Sequence, residues 1–183
     1  YEMFDEDAKI AARELDLTLT TRDRNKPKEE QTPMCGVPYH SVDSYIARLV
    51  AKGYKVAICE QMEDPSQAKG LVERDISRII TPGTVTESCM LDESRNNYMG
   101  CLYGTNERYG LAFCDVSTGA FFVTVCADAT AASSELGRFS PAEVIRSGPS
   151  AADPIISDTL IRRLSCCVNE GSEAAPDLNE NAD

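Results

Sequence analysis

The chain has 183 residues, the length of one ordinary domain or two small ones, with 42% apolar and 26% charged side chains, both close to globular averages. Thirty Asp and Glu against 18 Lys and Arg leave a formal charge of −12, which argues against a protein that grips nucleic acid through overall positive charge. No apolar run approaches the ~18 residues of a membrane span and no signal-peptide pattern opens the chain, so composition predicts a soluble, cytoplasmic protein with no membrane partner.

A chain that begins at Tyr1, already inside a helix-like pattern, reads as a piece of a longer protein. Phe4, Ala8, Ala11, Ala12 and Leu15 recur at helical spacing, which predicts an amphipathic helix over residues 3–16. A short β-branched strand follows over 17–21, then a polar loop carrying Arg22, Arg24, Lys26 and Lys28. Those cations stand beside Asp23, Glu29 and Glu30, a weak phosphate footprint that reads first as a solvated loop. Pro33, Met34, Cys35, Gly36, Val37 and Pro38 read as a compact turn between two prolines. Ser41 suits an N-cap, and Val42, Tyr45, Ile46, Leu49 and Val50 form a helical stripe ended by Gly53. Residues 54–59 read as a buried strand and 76–81 as another, with a short helical turn starting at Asp64, Pro65 and Ser66 between them.

Residues 84–97 hold Glu, Ser, Asp, Arg and two Asn around a short Cys89-Met90-Leu91 apolar patch and read as a mobile linker. Strands over 99–103, 111–116 and 120–125, joined by Gly-containing turns, predict an antiparallel meander. A helix over 129–136, a strand over 142–145 and a helix over 153–164, with Ile155, Ile156, Leu160, Ile161 and Leu164 on its apolar side, complete the pattern. Residues 169–183, with five acids and no base, read as a disordered tail. The fold class is mixed α/β, an N-terminal mixed sheet packed with helices followed by a second α/β domain.

Chemistry-bearing patterns are few. The chain has no phosphate-cradling glycine loop and no H-E-x-x-H zinc motif, and its eight cysteines lack a C-x-x-C pair and read as reduced thiols. His40 is the only histidine and suits a structural role beside Tyr39 and Ser41. Asp115, late in a strand before a hairpin return, stands where ribonuclease H-like folds carry their first metal-binding carboxylate. Two-metal chemistry needs further acids on neighbouring strands, and Asp153 and Asp158 belong to the later helix, so Asp115 reads as an acid that closes a turn through Ser117 and Thr118. A metal-dependent nuclease using Asp115 is the alternative function.

A resemblance rests on ordered blocks: Tyr1-Glu2-Met3-Phe4, Asp7-Ala8-Lys9, the stretch from Leu15 to Thr20, the stretch from Pro33 to His40, the stretch from Val56 to Gln61, Val72-Glu73-Arg74 and Thr81-Pro82-Gly83-Thr84. Together they resemble the N-terminal part of the MutS family of DNA mismatch repair proteins, and Asp115 to Gly119 with Pro141-Ala142-Glu143 resembles that family's connector domain. The resemblance implies a mismatch-recognition domain over 1–83, the 84–97 linker and a partial connector of ribonuclease H-like fold over 98–168. It implies mismatched double-stranded DNA as partner, with a Phe-x-Glu motif whose Phe would stand just before Tyr1 and whose Glu is Glu2. By matching position, Tyr1, Glu2, Arg22, Pro33, Met34, Cys35, Gly36 and Arg74 would face the DNA. It also implies dimers, a downstream repair protein engaged through the connector, and ATP and Mg used in a C-terminal domain outside this chain, leaving this segment without catalysis, cofactor or metal.

Overall fold

The computed structural model describes residues 1–64, 70 and 72–171. The turn expected from Asp64, Pro65 and Ser66 falls mostly outside them, as does the tail from residue 172. The chain divides into two compact units, Tyr1–Thr81 and Pro82–Asp183.

The first unit opens with a strand rather than a helix. Strand β1 (Glu2–Phe4) pairs antiparallel with β3 (Pro33–Gly36), and β2 (Thr20–Thr21) pairs with the other edge of β3. The expected helix over 3–16 therefore starts later, as α1 (Asp5–Leu15), with Asp5 at a positive φ of 52° making the sharp change of direction. The expected Pro33 to Pro38 turn is likewise corrected, because its first four residues form the central strand. Pro33 is tolerated there because it is the first residue of the strand. Small side chains on α1 let the helix lie close: Ala8, Ala11 and Leu15 are buried against Cys35, whose Sγ lies 3.4 Å from the Ala8 carbonyl.

Helix α2 (Val42–Val50) buries Ile46 and Val50; Ser41 precedes it, but its hydroxyl bonds the Pro38 carbonyl instead of capping. Strands β4 (Val56–Gln61) and β5 (Arg74–Ile80) form a two-stranded antiparallel ribbon. Neither is the buried strand expected, since β4 alternates between half-buried and exposed positions and Ile76 and Ile79 of β5 are more than half exposed.

In the second unit the expected meander is present as β6 (Tyr98–Gly104), β7 (Tyr109–Asp115) and β8 (Ala120–Cys126). Helix α3 (Ala129–Phe139) leads to β9 (Glu143–Ser147), parallel to β6, and α4 (Pro154–Ser157) runs into a π-helical stretch (Asp158–Arg163) before β10 (Cys167–Glu170), parallel to β9. The sheet order is β10-β9-β6-β7-β8. Leu102, Leu111, Phe113 and Val144 share a core with Leu136, Ile156 and Leu160. On the opposite face Phe121, Val123 and Val125 of the edge strand β8 are 64–69% exposed. Ile155 and Ile161, expected on the apolar side of the last helix, are 46% and 57% exposed, while Ile156 and Leu160 are buried and Leu164 packs against the same core.

Two expectations about boundaries are corrected. Asn169 and Glu170, assigned to the tail, belong to β10, where the Asn169 amide donates to Glu143 Oε1 and Arg146 pairs with Glu170 at 2.7 Å. The 84–97 segment lies inside the second unit rather than between units. Hydrogen bonds hold its ends: Gly83 N–H donates to Glu143 Oε2 (3.0 Å), Asn97 N–H to Asp115 Oδ2 (3.2 Å) and the Asn97 amide to the Pro82 carbonyl (2.9 Å). The approach at Gly83 excludes a side chain, since a Cβ would lie 2.9 Å from that of Glu143 and 3.0 Å from that of Met99.

Asp115 and Glu143 are thus buried acceptors that tie loops to the sheet. Replacing Glu143 by Ala strands the Gly83 N–H and is expected to lower stability by about 1–3 kcal/mol and to speed proteolysis within 83–97, read by denaturant unfolding and limited digestion. For Asp115, burial alone would raise the carboxyl, but hydrogen bonds from Ser117, Asn97 and Thr118 outweigh it and hold it below the usual carboxylate range. A depressed folded-state value contributes stability above the unfolded value of about 3.9 that is lost as pH falls past it. The wild type should therefore lose stability on acidification through this range more steeply than Asp115→Asn, as followed by melting temperature against pH.

Candidate nucleic-acid interface

Strand alternation decides which side chains of the first sheet meet solvent. Cys35 points at α1 and is fully buried, so its neighbours in sequence, Met34 and Gly36, point the other way. Register then assigns their partners to the same outer face: Phe4 and Thr20 flank Met34, and Glu2 stands opposite Gly36. Gly36 is needed at this crossing, since a Cβ would lie 3.1 Å from the Tyr1 carbonyl and 3.8 Å from Glu2 Cγ. Just after β2, Arg22 folds back across the face with its guanidinium 5.6 Å from the centre of the Phe4 ring, and its Nη2 donates to Glu2 Oε2. The Glu2 and Arg22 side chains are 42% and 63% exposed.

Of the eight residues singled out from sequence, the fold brings Glu2, Arg22, Met34 and Gly36 onto one exposed face, with Pro33 starting the strand beneath it. Three are placed elsewhere. Tyr1 continues the ladder, its backbone N–H and C=O each 2.9 Å from their Val37 partners, while its side chain stacks on Tyr39 and its hydroxyl bonds Glu60, which pushes the phenol up to about 12. Cys35 faces the helix, where burial raises its thiol, so any contact it makes outside the protein is through backbone. Arg74 stands on the separate β4–β5 ribbon opposite Gln61, with Nη1 3.2 Å from the Val72 carbonyl. Phe4 was missed: read as part of a helical stripe it belonged to the core, whereas its i, i+2 spacing from Glu2 puts it on the outer face once residues 2–4 are a strand.

Asp115 does not assemble a catalytic centre. Its Oδ1 accepts from Ser117 N–H (2.9 Å), the Ser117 hydroxyl (2.6 Å) and Thr118 N–H (3.3 Å), and Oδ2 from Asn97 N–H. Among the described residues no group of three or more His, Cys, Asp or Glu is placed to hold a metal ion, and all eight cysteines are unbridged. Among them also, no helix is long and apolar enough to cross a membrane.

Comparison with known proteins finds two family domains in the chain. The family profile of MutS domain I matches residues 1–89 and that of MutS domain II matches residues 97–180. The chain is 50% identical over 172 residues to the DNA mismatch repair protein MutS of Acetivibrio thermocellus, covering 92% of this chain and 20% of that protein. It is 44% identical over 186 residues to the protein of the same name from Ruminiclostridium cellulolyticum, covering 100% and 21%. A third, from Halothermothrix orenii, is 55% identical over 147 residues, covering 79% and 16%. The chain thus spans about one fifth of the length of the curated relatives it matches, and it belongs to the MutS family of DNA mismatch repair proteins.

Proposed function

We propose that this chain reads mispaired or unpaired bases in double-stranded DNA through the outer face of its first sheet, with Glu2 bonding a base. The observation that carries this reading is the presentation of Glu2: a carboxylate on the outer face of a short strand, opposite Gly36, which puts no side chain beside it, with Arg22 bonded to Oε2 alone. The same alternation gives a reason for the family's Phe-x-Glu spacing. A residue preceding Tyr1 in the ladder falls on the face of Glu2 and Phe4, so a Phe there would wedge between base steps beside the carboxylate. Wedging costs a few kcal/mol of unstacking and least where pairing is already defective, so discrimination comes from deformability and does not need a basic groove. That is compatible with a chain of charge −12. Arg22, Met34 and Gly36 would adjoin the DNA, and Arg74 would meet its backbone from the ribbon.

The second unit then serves as a connector to the rest of a longer protein. ATP and Mg chemistry, dimer formation and engagement of a downstream repair protein belong to that larger assembly, with no catalytic role for this segment.

The decisive measurement compares affinities for mismatched and paired duplex at one stated salt concentration, in a protein of the relatives' length carrying this chain. Glu2→Ala should lower the ratio by about 1–3 kcal/mol, the range for one good base contact, and should tighten binding to paired DNA by removing a charge that repels phosphate. Glu2→Gln should keep more of the ratio than Ala. An unchanged ratio in both would reduce Glu2 to an exposed strand residue. The isolated chain, with few cations, should retard DNA only weakly and in a salt-sensitive manner in gel-shift assays; tight binding to paired duplex would contradict the mechanism.

A further inference from the structure

A glutamate that reads a base must hold its carboxylate in one place, and a long side chain on an exposed strand has rotamer freedom that opposes this. Gly36, opposite it, offers no side chain to pack against. Among the described residues, the group that bonds the Glu2 carboxylate is the Arg22 guanidinium, and it uses Oε2 alone. Arg22 is itself braced, since its guanidinium lies over the Phe4 ring. Phe4 in turn sits on β1 two residues from Glu2, on the same face. The three side chains form a closed chain of contacts, ring to guanidinium to carboxylate, rooted at both ends in one short strand.

We infer that Arg22 is a positioning residue for Glu2: supported on Phe4, it fixes Oε2 and leaves Oε1 turned to the base. This deepens the proposed function and rests on it. A planar guanidinium suits the task because it can stack on a ring through its face while donating through its edge, which a lysine ammonium cannot do. Arg22 has further N–H groups for a phosphate oxygen, so a contact to the DNA backbone is compatible with the positioning role. What separates the two is the quantity that changes. A phosphate contact alters affinity for every duplex alike, whereas a positioning contact alters the ratio between mismatched and paired DNA.

The test measures both affinities at fixed salt, in a protein of the relatives' length, for Glu2→Ala, Arg22→Gln, Arg22→Lys and the Glu2→Ala, Arg22→Gln pair. Arg22→Gln is expected to lower the mismatch ratio by an amount approaching that of Glu2→Ala, on the order of tenfold, and to lower it no further when Glu2 is already Ala. Arg22→Lys should restore affinity common to both duplexes while leaving the ratio low. The inference is overturned if Arg22→Gln weakens both duplexes equally with the ratio intact, or if its effect on the ratio is undiminished in the Glu2→Ala background. Should Glu2→Ala itself leave the ratio unchanged, the base-reading role falls first and the positioning role falls with it.

Discussion

The first unit depends on how closely α1 approaches the middle strand of its sheet. Alanines at 8 and 11 let β3 come near enough for Cys35 to be fully buried with its sulfur at the Ala8 carbonyl. The strands of this sheet are only two to four residues long, so their ladders alone hold register weakly. Burying Cys35 settles it. A slip of one residue would turn Met34 and Gly36 toward the helix and expose the thiol, and Glu2, Phe4 and Arg22 would lose their common face. The outer surface that carries the candidate site is thus a consequence of an apolar contact on the reverse side.

Acidic residues do opposite jobs in the two units. Asp115 and Glu143 are buried, and between them accept from the backbone of residues 83, 97, 117 and 118. Their oxygens join loops, and in Glu143 also the Asn169 side chain of β10, to the sheet, although Asp115 stands at a strand end where carboxylates of ribonuclease H-like folds bind metal. Glu2 is exposed and bonded through one oxygen by a neighbour that is itself exposed. An exposed ion pair contributes little to stability, about 0–1 kcal/mol, so the fold does not depend on this one.

Much of the second unit was legible because its signals are local. Alternating apolar residues between Gly-containing turns specify β6, β7 and β8, and a three-to-four-residue apolar period specifies α3. What stayed hidden depends on partners distant in sequence. Residues 2–4 fit a helical stripe as well as a strand, and only pairing with Met34, some thirty residues on, decides between them. The 84–97 segment has few apolar residues and no periodic pattern of them, yet Val85 is buried and the ends are held by hydrogen bonds to carboxylates whose burial cannot be read from type alone. The candidate site shows the same division. Resemblance named Glu2, Arg22, Met34 and Gly36, but that Cys35 and Tyr1 turn away, and that Phe4 joins the face, follows only from the strand register.

The open face of β8 bears on how the molecule behaves in solution. Phe121, Val123 and Val125 give this edge strand an uncovered apolar side, the kind of surface that promotes contact between copies. A charge of −12 opposes such contact over distances comparable to the Debye length, about 10 Å at 0.1 M salt and 3 Å at 1 M. Ionic strength therefore acts in opposite senses on the two surfaces: raising it weakens attraction between cations and phosphate while removing the repulsion that keeps apolar faces apart. Colloidal stability and the proposed nucleic-acid affinity are coupled through the buffer, and both favour the dilute-salt regime.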